Sequence, residues 1–494
     1  MIHTILLESF RKYSDLVAIH CDGKEVTYTE LYNQAESLTC QFSDLGVPKG
    51  SHICLFMSNC VEFISCFFAV NAYGSVVIPV QPNISMKKLS ELCQAYHIGM
   101  IITKGSNAKI SVEELKEYHC SASVYEVLEN SISCKYSPYR PIHSGSLNND
   151  LALILFSSGT TGRPKGIMLS NKNILSNVRA ISEYLQLNQK DRLLLVKSLS
   201  HASSITGEML VALLNGCELC ITEKVITPSS ISQIITKQSI TVFFAVPSIL
   251  NMIMYSRQRL KFDFSSLRII HFYGEPISEH NLLEIDRSFP HVNLIYSYGL
   301  TEASPRVTYI PKEELLRKRG SSGKPIRDVQ VRIMDEEGKI REQVHVTGLI
   351  GVEGPGVMLG YYNVNSTDQR GDRASLLITG DLGYMDEEGY LYVVGRKDNM
   401  FTYMGKNIHP EEIEKIITAY PGIKESVLKA EERNQTGAIR MVAEVVCENR
   451  TEVTKIELIN HCKIYLEDYK IPHEIVFVDE LERNPNGKIL RKKG

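Results

Sequence analysis

Apolar residues along this chain fall into short continuous runs separated by longer stretches of helical period. Positions 28–45 repeat apolar side chains every three or four residues, the mark of an amphipathic helix. The runs at 52–57, 76–80 and 100–103 read as strands, and the stretches 62–72 and 85–97 between them read as helices. The pattern resumes with a strand-like run at 151–156. It leads to a helix that places Ile174, Val178, Ile181 and Leu185 on one face, with Ser170 as its N-cap. Further strand-like runs lie at 193–199, 267–273 and 293–296, with a β–α unit from Ile231 to Pro247. This alternation predicts an α/β protein with helices on the faces of its sheets. Shorter strand-like runs follow at 331–334 and 346–352. A chain of 494 residues holds roughly three domain-sized units.

Between the 151–156 strand and the helix stands Ser157-Ser158-Gly159-Thr160-Thr161-Gly162-Arg163-Pro164-Lys165-Gly166. Read as strand–loop–helix, this loop can turn tightly, aim several backbone N–H groups at one point, and add hydroxyls and a Lys charge. A polyphosphate needs that combination. A plain surface linker is the alternative, but linkers rarely sit tightly between a strand and a helix. The loop is not G-x-x-x-x-G-K-[ST], and none of Gly323-Lys324, Gly405-Lys406 and Gly487-Lys488 completes that pattern. A second candidate is Ser297-Tyr298-Gly299-Leu300-Thr301-Glu302-Ala303-Ser304, at the end of the 293–296 strand. Ligands of such sheets bind at the carboxyl ends of strands. Glu302 offers hard oxygen for a cation such as Mg²⁺, unless Thr301 and Glu302 merely begin a helix. Asp381, in Thr379-Gly380-Asp381, can take two vicinal hydroxyls or serve as a turn residue.

Composition narrows the partners. Net charge is −3 and the pI is about 6.6, so no electrostatic footprint for nucleic acid or an anionic membrane is present. No apolar run approaches the length needed to cross a bilayer, and the N-terminus lacks the charged region of a signal peptide. Twelve scattered cysteines, with Cys217-x-x-Cys220 the one close pair, make a poor zinc site and suit a reducing cytoplasm. The basic end Arg491-Lys492-Lys493 reads as a solvated tail.

The loop at 157–166 and the Tyr298-Gly299-x-Thr301-Glu302 segment resemble motifs of the adenylate-forming superfamily. That superfamily comprises acyl- and aryl-CoA synthetases, nonribosomal peptide synthetase adenylation domains and beetle luciferases. Gly395-Arg396-Lys397-Asp398 is a third strong match, and further similarities keep the family's order: Thr27-Tyr28-Thr29-Glu30-Leu31, Gly74 to Pro79, Gly354-Pro355 to Gly360-Tyr361, Gly405 to Glu414, and Asn486-Gly487-Lys488-Ile489. The spacing is nearest to AMP-forming acyl- or aryl-CoA ligases.

The resemblance implies a large domain at 1–395, built of two α/β subdomains and a small β-barrel. A hinge at 396–400 with Asp398 at its pivot and a small, mobile α+β domain at 401–494 would follow. It implies that ATP is held by Ser157, Ser158, Gly159, Thr160, Thr161, Gly162, Lys165, Gly274, Glu275, Tyr298, Gly299, Asp381 and Arg396. Glu302 would hold Mg²⁺. Lys488, Thr301, Glu302 and His201 would be catalytic. His201, Ser203, Tyr273, Ser297, Ser304 and Arg306 would line the substrate pocket. His201 lies fifteen positions before Gly216, as in the ligases. Amino-acid-activating relatives carry an Asp where this chain has Ser203, so an α-amino acid is disfavoured. Arg306, where relatives have small or apolar residues, is expected to face solvent, with pairing to a second acidic group of the substrate as the alternative. Thr402 and Met404 replace frequent basic residues, which leaves the acceptor open between coenzyme A and the phosphopantetheine of a carrier protein. A small-molecule carboxylic acid is the expected substrate, and a monomer or homodimer the expected assembly. A non-catalytic, ligand-binding descendant is a third reading, opposed by the intact Lys165, Glu302, Asp381 and Lys488.

Overall fold

The computed structural model describes residues 1–105, 110–138, 150–157, 165–224, 227–254, 256, 262–275, 277, 279–362, 376–404, 406–433, 438–447, 453–483 and 489–491. Two large sheets dominate. In the first, eight strands run in the order Gly360–Tyr361, Lys165–Ser170, Leu151–Ser157, Val76–Val80, His52–Phe56, Ile98–Thr103, Ser123–Leu128 and Ser131–Tyr136. In the second, nine strands run from Lys324–Pro325 through Arg306–Ile310, Asn293–Gly299, Ile269–Tyr273, Val242–Ala245, Arg192–Leu194, Glu218–Ile221 and Val17–Cys21 to Lys24–Thr27. Both are parallel in the middle and antiparallel at the edges. The helix Val61–Tyr73 explains how they meet. Every residue from Val61 to Asn71 is buried, and a helix apolar all round belongs inside a core. One apolar cluster joins this helix to Ile53, Val77 and Leu153 of one sheet and to Leu193, Leu219 and Val242 of the other.

The segment after the phosphate loop is not a helix. Lys165–Ser170 is a strand, paired antiparallel with Leu151–Ser157, and only then does Ser170 cap the helix Asn171–Leu185 with a full capping box. Ile167 and Leu169 are buried, a period-two pattern that the more evident helix pattern downstream obscured. The loop therefore joins two strands, and no helix N-terminus stands directly behind it. The 193–199 run also departs from expectation: Arg192–Leu194 alone is strand. The Asn59 side chain takes over the pairing, donating to the Lys197 carbonyl at 2.9 Å and accepting from the Leu199 N–H at 2.8 Å.

Where the resemblance implies a small β-barrel, the described residues form a five-stranded antiparallel sheet, in the order Ile340–Arg341, Gln330–Met334, Gly348–Glu353, Leu376–Met385 and Leu391–Arg396, with no pairing between its end strands. Its apolar side packs on Ala303 and Val307 of the nine-stranded sheet. Beyond it, Pro410–Thr418 is a helix with Pro410 in its first turn, as expected. With the helix Lys455–Tyr465 it covers a three-stranded sheet around a core of Ile408, Ile413, Ile417, Leu428, Met441, Leu458 and Cys462.

Arg491 is not part of a solvated tail. Its guanidinium grips both oxygens of the buried Glu414, and Glu414 also accepts the Leu428 N–H at 2.7 Å. The basic run concealed this pair, because one residue of the run belongs to the core. Arg491→Met leaves a buried carboxylate unpaired, a change that costs about 3–5 kcal/mol when burial is complete and less here, where Arg491 is 25% exposed. The expected outcome is a denaturant midpoint lowered for the C-terminal unit and partly restored by adding Glu414→Gln.

Candidate active site

The strand Asn293–Gly299 runs into a single 3₁₀ turn, Thr301–Ala303, and returns as Arg306–Ile310. This narrow hairpin carries most of the second motif. Tyr298 donates its hydroxyl to Asp381 at 2.5 Å, and burial holds that hydroxyl well above its usual pKa, so it stays a donor. Arg396 Nη1 donates to the other Asp381 oxygen at 3.0 Å and to the Thr379 carbonyl at 3.3 Å. Tyr298, Asp381 and Arg396, predicted from separate motifs, therefore form one polar group between the hairpin and the five-stranded sheet. Gly299 is a steric necessity: a Cβ there would stand 1.8 Å from the Pro305 carbonyl oxygen.

Around the hairpin, Tyr361 donates its hydroxyl to Glu302 at 2.9 Å, and Lys165 Nζ lies 5.2 Å over the Tyr361 ring. Tyr361 thus joins Lys165 of the phosphate-loop motif to the candidate metal ligand. Its place at the end of the Gly354-to-Tyr361 signature was the signal that pointed to it, though no role followed from that signature alone. One Glu302 oxygen accepts from Tyr361, and a half-buried carboxylate of this kind can also serve a hard cation. Ser157 closes its strand; Ser158, Gly159, Thr160, Thr161, Gly162 and Lys488 lie outside the described residues.

No motif points to what holds the hairpin. Asn177, on the helix after the loop, donates to the carbonyls of Arg306 at 2.8 Å and Ala303 at 3.3 Å and accepts the Arg306 N–H at 3.2 Å. One turn earlier, Asn173 donates to the carbonyls of Pro355 and Val357 at 2.8 and 2.7 Å. Asn177→Ala orphans three buried backbone groups, each costing about 1–3 kcal/mol. The expected result is a lower melting temperature and a raised KM for both nucleotide and acid, read by steady-state kinetics.

Behind the hairpin lie the residues expected to line a substrate pocket. His201 precedes a short helical turn, its Nε2 3.3 Å from Gln81 Nε2. The chain then winds as a π-helix over Ile205–Leu210, a rare form concentrated at functional sites. It carries Glu208, which is buried, accepts the Tyr273 hydroxyl, and is pushed up to about 7 by loss of solvent. Ser203 lies beside Tyr273, and His271 pairs with Ser297 at 2.8 Å. Burial drives His271 well below its ordinary range, so it is neutral. Ser304 is buried with a left-handed backbone. Arg306 does not face solvent: it is 3% exposed, and its guanidinium stacks 3.8 Å over the Tyr273 ring. The strand register turns it inward, since Arg306 pairs with Gly299 and its carbonyl is held by Asn177.

Glu275 has another occupation. Its carboxylate accepts the N–H and hydroxyl of Ser248, in the first turn of Pro247–Met254, at 2.9 and 3.0 Å, while Gly274 makes the turn at φ +82°. Asp398 is exposed, 3.6 Å from Arg396. Met404 is 78% exposed and Thr402 is exposed. All twelve cysteines are free, with Cys217 and Cys220 buried. Among the described residues, Cys60, Glu62 and Glu223 alone cluster at metal-like spacing. Lys104 bonds both of those carboxylates, at 2.9 and 2.6 Å, which makes the cluster an ion pair.

A family model described as AMP-binding enzyme matches residues 6–362, and one described as AMP-binding enzyme C-terminal domain matches residues 412–488. The chain is 29% identical over 471 residues to a 2-succinylbenzoate–CoA ligase of Oceanobacillus iheyensis, covering 95% of this chain and 94% of that protein. It is 25% identical over 515 residues to a 4-coumarate–CoA ligase of Humulus lupulus, covering 99% and 92%. Its fold matches the Bacillus subtilis o-succinylbenzoate CoA synthetase bound to an acyl-adenylate intermediate, with TM-score 0.83, 25% identity and coverage of 99% and 96%. It matches ATP-bound MatB of Rhodopseudomonas palustris with TM-score 0.84, 24% identity and coverage of 99% and 97%.

Proposed function

The chain belongs to the family of AMP-binding enzymes, and from that premise we propose the reaction and the part each residue plays in it. It is an AMP-forming acid–thiol ligase. It joins a small carboxylic acid to the AMP portion of ATP, releases pyrophosphate, and passes the acyl group to the thiol of coenzyme A. The observation that carries this reading is the hairpin at 298–306, which stands between a nucleotide-type group (Tyr298, Asp381, Arg396) and a buried polar cluster (Ser203, Glu208, Tyr273, Arg306).

In this reading Asp381 takes the ribose hydroxyls, steadied by Tyr298 and Arg396. Thr301 meets the α-phosphate. Lys165 and the 157–162 loop hold the outer phosphates. Glu302 suits Mg²⁺, which supplies charge neutralisation for the phosphates when bound; Tyr361 orients that carboxylate. The carboxylate substrate is already ionised, so no general base is needed. Positioning and charge neutralisation carry the step. Lys488 is assigned to the carboxylate and α-phosphate, and residues 396–400 to the hinge between 1–395 and 401–494. No described helix is long and apolar enough to cross a membrane, and a cytoplasmic location fits that and the free cysteines.

A second acceptor, the phosphopantetheine of a carrier protein, is favoured by one observation. The two positions where relatives often place basic residues are the exposed Thr402 and Met404, which offer no charge to the phosphates of coenzyme A. Acid-dependent ATP–pyrophosphate exchange, followed by addition of coenzyme A to the best acid, tests both. Exchange followed by thioester supports the ligase with coenzyme A, and exchange without thioester moves the acceptor to a carrier protein. No exchange with any acid would overturn the ligase reading.

A further inference from the structure

Arg306 presents an unusual electrostatic situation. An Arg cannot shed its proton, and a buried charge is costly unless it is paired. Arg306 is 3% exposed, and neither its Nε nor its Nη2 has a hydrogen-bond partner. Four elements enclose it. The π-helix brings Gly207, where an added Cβ would lie 3.2 Å from Nη2. The strand Ile269–Tyr273 brings the Tyr273 ring and His271. The helix Asn171–Leu185 brings Tyr184, whose hydroxyl neighbours the guanidinium without a well-formed hydrogen bond. The fourth is its own hairpin, with the buried, unpartnered Ser304 hydroxyl.

Nothing among these cancels the charge firmly. Glu208 is the one carboxylate in the group; it feels the Arg306 charge, but no Glu208–Arg306 ion-pair contact comes within 4.0 Å. One of its oxygens accepts from Tyr273 and the other is unpartnered. Burial pushes it up to about 7, which makes it a weaker counter-charge than an ordinary carboxylate. His271, Tyr184 and Tyr273 are neutral. Lys197 adds a second cation, 5.1 Å over the Tyr273 ring. The cluster thus holds a buried guanidinium whose Nε and Nη2 donors are unpaired.

We infer that the acid this enzyme activates carries a second anionic group, a carboxylate by the simplest chemistry, and that Arg306 binds it at the inner end of the pocket. The carboxylate to be adenylated then lies toward the hairpin and the nucleotide group, and the second one toward Tyr273 and Gly207. This inference rests on the ligase reading above and specifies its substrate class.

The test is ATP–pyrophosphate exchange with matched pairs that differ by one carboxylate: hexanoate against adipate, benzoate against isophthalate, and 3-phenylpropionate against 3-(3-carboxyphenyl)propionate. The expected result is a preference, in kcat/KM, of about tenfold to a hundredfold for the diacid of the best pair. Arg306→Met brings that ratio to near one, chiefly through KM, and Arg306→Lys restores part of it. Glu208→Gln separates this from a merely internal Arg306–Glu208 pair. An internal pair would make both variants lose the preference alike. A ligand site keeps the preference in Glu208→Gln, because a competing negative charge is gone. In the wild type, the diacid KM rises with pH as Glu208 ionises through about 7, and that rise disappears in Glu208→Gln. A preference for the monoacids, or a ratio unmoved by Arg306→Met, would overturn the inference and leave the ligase standing. Exchange with no acid at all would remove the ligase reading and the inference with it.

Discussion

Lys488→Ala is expected to slow adenylate formation by about 10²–10³-fold, the loss typical of one donor aimed at developing charge. Transfer of the acyl group from supplied acyl-adenylate to the thiol is expected to proceed at close to the wild-type rate. The argument is electrostatic. A carboxylate must approach a phosphorus surrounded by negative oxygens, so cations must stand on the path. The described residues supply few to spare. Arg396 is bonded to Asp381 at 3.0 Å, on the ribose side. Lys165 lies over Tyr361, on the side of the outer phosphates. Arg306 stacks on Tyr273, among the residues proposed to line the acyl pocket. In the proposed assignment none of these three serves the point where acid and α-phosphate meet, and Lys488 is the residue proposed for it. The second half-reaction has no such meeting of anions, so it does not need the ammonium. Pyrophosphate exchange reads the first step, and thioester formation from synthetic adenylate reads the second. Equal loss in both would show that Lys488 maintains the fold, and unchanged exchange would remove it from the mechanism. Arg491→Met is the informative companion. Arg491 is anchored to Glu414 three residues beyond Lys488, so its loss should slow the same step by a smaller factor, with a stability change that Lys488→Ala lacks.

Much of the architecture was legible in the chain because it is written in local periods. The strand Val76–Val80 falls on its predicted residues, and the helix Val61–Tyr73 within one of them. The motifs Tyr298, Asp381 and Arg396, far apart in sequence, meet in one group. What escaped the reading is of another physical kind. The strand Lys165–Ser170 is short and adjoins a strong helix pattern. Arg306 and Arg491 looked like surface residues because charge is a poor guide to position when the partner is distant in sequence. For Arg491 that partner is Glu414, 77 residues away. For Arg306 the neighbours come from three other elements. Asn177 carries no motif at all, since its work is done on backbone carbonyls, and a backbone carbonyl leaves no mark on sequence.

Gly299→Ala is expected to cost at least about 10²-fold in adenylation and to lower thermal stability. The reason lies in which atoms the new methyl meets. They are the Pro305 carbonyl oxygen at 1.8 Å, its carbon at 2.8 Å and the Arg306 Cα at 3.0 Å, all backbone. Backbone held in a sheet cannot swing aside as a side chain can, so the two strands of the hairpin must separate by about an ångström or more. Three functions sit on that hairpin within a few residues. Tyr298 reaches Asp381, Glu302 reaches Tyr361, and Arg306 reaches Tyr273. A displacement of about 1 Å at reacting groups is worth about 10² in rate, and overpacking of this sort costs about 1–3 kcal/mol. KM for nucleotide and for acid should therefore rise together with the fall in kcat, because one movement disturbs both sides. Gly389 provides the control. Its φ is +79°, yet nothing lies within 4 Å of its would-be Cβ. Gly389→Ala then bears only the left-handed backbone strain, about 1–2 kcal/mol, and should lower the melting temperature while leaving the kinetics in place. If Gly299→Ala behaved like Gly389→Ala, the hairpin could not be the element that aligns nucleotide and acid. If it behaves as expected, a single glycine is what lets the two substrates share one edge of the sheet.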